Sequence, residues 1–112
     1  MGAKSGVALN PATSLETIRH VMGSIDHLLV MTVNPGFGGQ AYIAEMEAKV
    51  AEARAMIDAT GRDIALEVDG GVTKDTIAGA AKAGADHFVV GSALFRHPDG
   101  VAAAMAECRA AL

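Results

Sequence analysis

The sequence predicts an α/β fold built on a parallel sheet, and three observations carry that prediction. Four short apolar runs recur along the 112 residues: GVALN at 6–10, HLLVMTV at 27–33, IALEVD at 64–69 and HFVVGS at 87–92. Each is nearly continuous rather than alternating, the pattern of parallel strands covered on both faces. A helical stripe of apolar residues follows every run, and alternation of this kind means right-handed strand–helix–strand crossovers. Three of the four runs also end in loops that carry glycine.

The elements follow in order. After the first run, Leu15, Ile18, Val21 and Met22 form a helical stripe, with Thr13 and Glu16 spaced as a capping box before it and Gly23 ending it. After the second run, Met46, Val50, Ala53 and Ile57 form the next stripe. Glu45 stands four residues before Lys49 as a supporting pair, and Gly61 closes the helix. Thr73 is the expected N-cap of the third helix, with Val72 and Ile77 spaced as a hydrophobic staple and Gly84 at its end. Asp99 is the expected cap of the fourth helix, which presents Val101, Met105, Cys108 and Leu112. Two architectures fit four such units: a doubly wound open sheet, or part of a (βα)8 barrel.

Composition narrows the function. Half of the residues are apolar, so the chain can bury a core as one small domain spanning 1–112. The formal net charge is −4 and the nine Lys and Arg are scattered, which argues against nucleic acid and anionic membranes as partners. No apolar run approaches the ~20 residues of a bilayer span, and MGAKSG lacks the apolar core of a secretory signal. The single cysteine, Cys108, rules out an internal disulfide and fits a reducing cytoplasm. Its spacing makes it a small apolar residue on a helix face.

The glycines sit where α/β sites are built. NPGFGGQ follows the second strand, DGG ends the third, and GS ends the fourth, each at a carboxyl strand end. Glycine there lets backbone N–H groups approach an anion without a Cβ in the way. Each loop also precedes a helix N-terminus, which favours negative charge. Turns use glycine everywhere, but three such loops in register favour a phosphate site, with PGFGG as lid and cradle. Asp69 closes an apolar strand ahead of two glycines, where an acid either orders the turn or faces a ligand. Glu67 shares its face two residues deeper and is expected in a structural ion pair. His27 and His87 fall at amino-terminal strand ends, the face associated with stability. His20 falls on a helix, and His97 is expected at the surface.

These residues resemble a known family. GVALNPAT, LLVMTVNPGFGGQAYI, EVDGGV and AGADHFVVGSALF are closely similar to the ribulose-phosphate 3-epimerases, from about Lys4 to the C-terminus. The combination of NPGFGGQ with EVDGG is specific; related phosphate-binding barrels usually lack the acid before the glycine pair. The resemblance implies a TIM-type (βα)8 barrel that interconverts D-ribulose 5-phosphate and D-xylulose 5-phosphate. Two aspartates on opposite faces of the substrate would move the proton at C3, and a divalent metal, zinc or iron, would stabilise the enediolate. Asp69 matches one of those aspartates, as both acid/base and metal ligand. Gly36, Phe37, Gly38 and Gly39 match the phosphate lid, and Gly70, Gly71, Gly91 and Ser92 match the rest of the cradle. Met31 matches a methionine lining the cavity.

The match covers only strands five to eight of that barrel, so the expected fold is a (βα)4 half-barrel. The family's first half supplies the second aspartate, two metal-binding histidines and a substrate-binding serine, none of which has a counterpart here. The chain alone is therefore expected to bind no metal and to be inactive, carrying one catalytic Asp and a phosphate site. The alternative is a non-catalytic half-barrel that binds phosphate or self-associates. Its open edges predict a homo-oligomer or a complementing half-barrel chain. A sugar-phosphate decarboxylase is disfavoured by EVDGG.

Overall fold

A computed structural model describes residues 3–33, 42–91 and 95–112. Four strands alternate with helices: β1 (Gly6–Leu9), a 3-10 helix (Leu15–Val21), β2 (His27–Met31), α1 (Met46–Thr60), β3 (Ala65–Asp69), α2 (Ile77–Ala83), β4 (His87–Val89) and α3 (Val101–Ala110). The sheet order is β1-β2-β3-β4, and every neighbouring pair is parallel. A doubly wound sheet reverses its strand order at a switch point. This one runs straight through, so the fold is an α/β half-barrel, one arc of a (βα)8 barrel.

Burial alternates along the strands. In β2, Leu28 and Val30 are buried while His27, Leu29 and Met31 are partly open; in β3, Leu66 and Val68 are buried while Ala65, Glu67 and Asp69 are partly open. The buried set joins Leu15, Ile18, Val50, Ala53, Ile57, Ile77, Ala80 and Cys108 in one core cluster. One sheet face thus carries the helices. The expectation of cover on both faces is corrected: the second face, which would line the lumen of a full barrel, is half open and carries His27, Glu67, Asp69 and His87.

Local signals differ in detail from the sequence reading. The first helix is a 3-10 helix capped by Ser14, whose hydroxyl accepts from the Glu16 N–H, rather than by Thr13. Lys49 does not pair with Glu45; its ammonium donates to the carbonyls of Asn10, Pro11 and Thr13, tying down the loop after β1. Gly61 ends α1 in the left-handed region at φ 68°, as a C-terminal glycine should. Thr76 rather than Thr73 is the N-cap of α2; the Thr76 hydroxyl accepts from the Thr73 N–H, and the Thr73 hydroxyl accepts from the Asp75 N–H. Gly100 rather than Asp99 caps α3, with no side-chain cap, and the Asp99 N–H donates to His97 Nδ1.

Two glycines let α1 and α2 approach closely. A Cβ at Gly79 would run into the Glu47 carboxylate, and one at Gly84 would come 2.6 Å from Arg54 Cβ. Arg54 Nε donates to the Gly84 carbonyl at 2.9 Å, and its guanidinium reaches Asp86 at 3.4 Å. No helix among the described residues is long and apolar enough to cross a membrane.

Candidate functional site

Strand register sets the site. Met31 is the register partner of Asp69, and Asp69 is the partner of Val89. Partners in a parallel pair point to the same face, so these three form a row at the carboxyl ends of β2, β3 and β4, on the half-open face. The row beneath holds Leu29, Glu67 and His87, with Ala8 beside Leu29. Met31 and Asp69 are each half-buried. Among the described residues no donor reaches the Asp69 carboxylate.

The turn after Asp69 is held by the end of β2. The Thr32 N–H donates to the Asp69 carbonyl at 2.8 Å, and the fully buried Thr32 hydroxyl reaches the carbonyls of both Asp69 and Gly70. Gly70 and Gly71 have φ of 120° and 68°, in the left-handed half of backbone space. A Cβ at Gly70 would lie 2.5 Å from Val33 Cγ2, and one at Gly71 would lie 2.5 Å from the Tyr42 backbone nitrogen. No side chain fits at either position. In a planar trans peptide the carbonyl and the following N–H point in opposite directions. With the Asp69 and Gly70 carbonyls turned onto Thr32, the Gly70 and Gly71 N–H groups point away from β2. Among the described residues neither has an acceptor.

The remaining polar groups of the open face are tied into the frame. Glu67 Oε1 lies 3.4 Å from His27 Nε2, the ion-pair arrangement expected of it, without the alignment of a hydrogen bond. His87 Nδ1 meets Asp86 Oδ1 at 2.8 Å, and that oxygen also accepts from the Leu66 N–H. Burial pushes the Asp86 carboxyl up, but the bonds from His87 and Leu66 and the nearby charges of His87 and Arg54 outweigh it and hold it below the usual carboxylate range. His97 is not at the surface as expected. Its side chain is only 14% exposed, and Nε2 meets Glu107 Oε2 at 3.0 Å. It lines a cleft of about 400 Å³ with Thr73, Asp99 and Cys108, away from Asp69. A second cleft, about 610 Å³, lies between the loop after β1 and α1. Neither includes the Asp69 row.

A family model, the ribulose-phosphate 3 epimerase family, matches residues 1–95. The chain belongs to the ribulose-phosphate 3-epimerase family. It is 55% identical over 98 residues to the ribulose-phosphate 3-epimerase of Serratia marcescens, covering 88% of this chain and 47% of that protein. Against the enzyme of Escherichia coli (strain K12) identity is 52% over 98 residues, covering 88% and 44%. Against that of Mycobacterium bovis it is 47% over 110 residues, covering 98% and 48%. The chain spans about half the length of these epimerases.

Of the residues that the epimerase resemblance points to, β2 and β3 bring Met31, Asp69, Gly70 and Gly71 together at one end of the sheet. Gly91 lies two residues past β4, exposed, with no described atom within 4 Å of an added Cβ. Gly36, Phe37, Gly38, Gly39 and Ser92 lie outside the described residues. The divalent metal associated with the epimerase family finds a poor donor set here. Asp69 is a single carboxylate, and among the described residues no three His, Cys, Asp or Glu side chains converge on one point. Glu67 and His87 sit one row deeper, engaged with His27 and Asp86. Sequence reasoning passed over Thr32 and Tyr42. The signal for Thr32 was available, since a lone hydroxyl inside a buried apolar run needs a partner.

Proposed function

We propose that this chain contributes the phosphate-binding and Asp69 half of a ribulose-phosphate 3-epimerase site, the other half coming from four further βα units. The observation that carries this reading is the Asp69–Gly71 turn: a carboxylate at a strand end on the lumen face, followed by two glycines that admit no side chain. The Gly70 and Gly71 N–H groups, with Gly91, Ser92 and the 36–39 loop, cradle the phosphate of a pentose 5-phosphate. Successive free N–H groups of this kind form an anion-binding concavity. Asp69 takes the C3 proton from one face of the sugar, leaving an enediolate, or returns a proton to that face. Epimerisation needs a second acid on the opposite face. One carboxylate cannot serve both, so the chain by itself binds the sugar phosphate weakly and does not turn it over.

The open face and the unpaired edges of β1 and β4 support a closed assembly, since exposed sheet edges invite pairing. A complementing half-barrel supplies both the missing strands and the missing acid. A second copy of this chain would cover the same edges but bring only another Asp69. The test joins this chain to the first four βα units of the Escherichia coli relative. Ribulose 5-phosphate turnover should appear in the joined protein, be absent from the isolated chain, and fall steeply with Asp69→Asn, by the ~10²–10⁴ of one general acid/base group. Turnover by the isolated chain, or turnover indifferent to Asp69, would overturn the reading. Phosphate binding without turnover in the joined protein would favour a non-catalytic half-barrel.

A further inference from the structure

We propose that Thr32 is the positioning residue of the Asp69–Gly71 turn, its hydroxyl setting the peptide orientation that aims the Gly71 N–H at the phosphate. This rests on the reading of that turn as acid plus phosphate cradle. Thr32 has no exposed surface and is the one buried polar residue among the largest fully buried side chains. Its backbone is already engaged on both sides: the N–H donates to the Asp69 carbonyl at 2.8 Å, and the carbonyl accepts from the Ile43 N–H at 2.7 Å. Strand pairing at this point therefore does not need the hydroxyl. The hydroxyl has one proton and two carbonyls within reach, Asp69 at 3.1 Å and Gly70 closer still.

The Gly70 carbonyl is the acceptor whose orientation matters. Gly70 and Gly71 have no Cβ to restrain them, and both sit at positive φ, where glycine has wide rotational freedom. Thr32 is the donor that holds the Gly70 carbonyl inward. The Gly71 N–H belongs to the same rigid peptide plane, so it is held outward. Without the hydroxyl, the Gly70 carbonyl would lose its buried donor, and such a group turns to find another partner. The Gly71 N–H would then turn with it. Asp69 is anchored by the same residue, since its carbonyl accepts from the Thr32 N–H at 2.8 Å.

The test substitutes Thr32→Val, which keeps the shape and the backbone bonds, and Thr32→Ser, which keeps the hydroxyl. Amide spectra of the 112-residue chain are recorded alone and during titration with inorganic phosphate. Thr32→Val should displace the Gly70 and Gly71 amide resonances before any phosphate is added. It should also weaken phosphate binding by about tenfold, the scale of one net hydrogen bond; Thr32→Ser should restore both. Unchanged Gly70 and Gly71 resonances with unchanged phosphate affinity in Thr32→Val would overturn the assignment. If Thr32→Val does not fold, the hydroxyl proton of the unsubstituted chain decides: slow exchange supports the role, and rapid exchange with water overturns it. If the unsubstituted chain ignores phosphate while Thr32→Val still displaces both glycine amides, the phosphate reading falls and the positioning role stands.

Discussion

The Tyr42 hydroxyl donates to Glu47 Oε2 at 2.8 Å, so the residue beneath Gly71 is anchored to the first turn of α1. Burial is the main cause that pushes the Tyr42 hydroxyl well above its ordinary pKa of 10.0, and the bond to Glu47 and its negative charge add to the shift. The folded state thus favours the protonated phenol. Its contribution to stability is fully present below the ordinary tyrosine range and is lost as pH rises through and beyond it. Alkaline unfolding of the native chain should therefore be steeper above pH 10 than that of Tyr42→Phe. At neutral pH the Phe variant should lose about 1.5–3 kcal/mol, the worth of a bond to a charged acceptor. Parallel alkaline limbs would refute the assignment.

Gly71→Ala should be among the costliest single-methyl additions in the chain. The new Cβ meets the Tyr42 backbone nitrogen at 2.5 Å and its Cα at 2.8 Å, at a φ of 68°. Neither a backbone atom nor a left-handed φ yields cheaply, so about 2–4 kcal/mol is expected. Gly91→Ala, with nothing described within 4 Å, serves as the control. Chemical denaturation of both variants reads the difference; equal midpoints would contradict the tight apposition of the β3 turn on Tyr42.

Asp86 predicts the acid limb of the stability profile. Its carboxylate is held below the usual range by His87, the Leu66 N–H and Arg54, against the opposing push of burial. A depressed folded pKa means a contribution present above the ordinary carboxylate range and lost as pH falls through it. Asp86→Asn should flatten the stability profile below about pH 4, where unperturbed aspartates titrate. An unchanged acid limb would show that Asp86 does not govern it.

Asp69→Asn should leave the fold alone. Among the described residues its side chain has no hydrogen-bond partner, and the change is isosteric, so the unfolding midpoint should not move. In the joined barrel the same change should lower kcat/KM by ~10²–10⁴, the scale of one general acid/base group. A large loss of stability would recast Asp69 as a structural residue of the turn.

The sequence made the strands and the candidate site at their carboxyl ends legible because those features are periodic and local. The four apolar runs marked the strands, and the acid at the end of the third run, followed by glycines, marked Asp69 as the candidate. What it hid depends on backbone angles or on distant partners. Ser14 displaces Thr13 as a cap because Ser14 has the extended conformation, φ −72° and ψ 146°, a difference that spacing does not record. Lys49 leaves its helical neighbour Glu45 for the Thr13 carbonyl, 36 positions away. The continuous apolar character of β2 and β3 suggested two covered faces; Met31 and Leu29 sit on the open one, while Glu67 and Asp69 break the pattern of β3. The lone hydroxyl of Thr32 in an apolar run called for a partner, but spacing could not name it, because the partners are main-chain carbonyls at the end of another strand.

The fit of Glu47 against Gly79 and of Arg54 against Gly84 bears on how such chains can be recombined. Each pair joins a bulky residue of α1 to a glycine in or just after α2; the Glu47 carboxylate ends a flexible side chain, whereas Arg54 meets Gly84 through its Cβ and cannot swing aside. A segment drawn from a relative with alanine at position 84 would collide with Arg54, and one with alanine at 79 would displace the Glu47 carboxylate, whereas an α1 with shorter side chains would leave a gap over these glycines. Gene shuffling between relatives should therefore tolerate crossovers before α1 or beyond Asp86 and select against those falling between Arg54 and Gly79. The inheritable unit is then the helix–strand–helix block, larger than the single strand–helix repeat that the sheet order suggests.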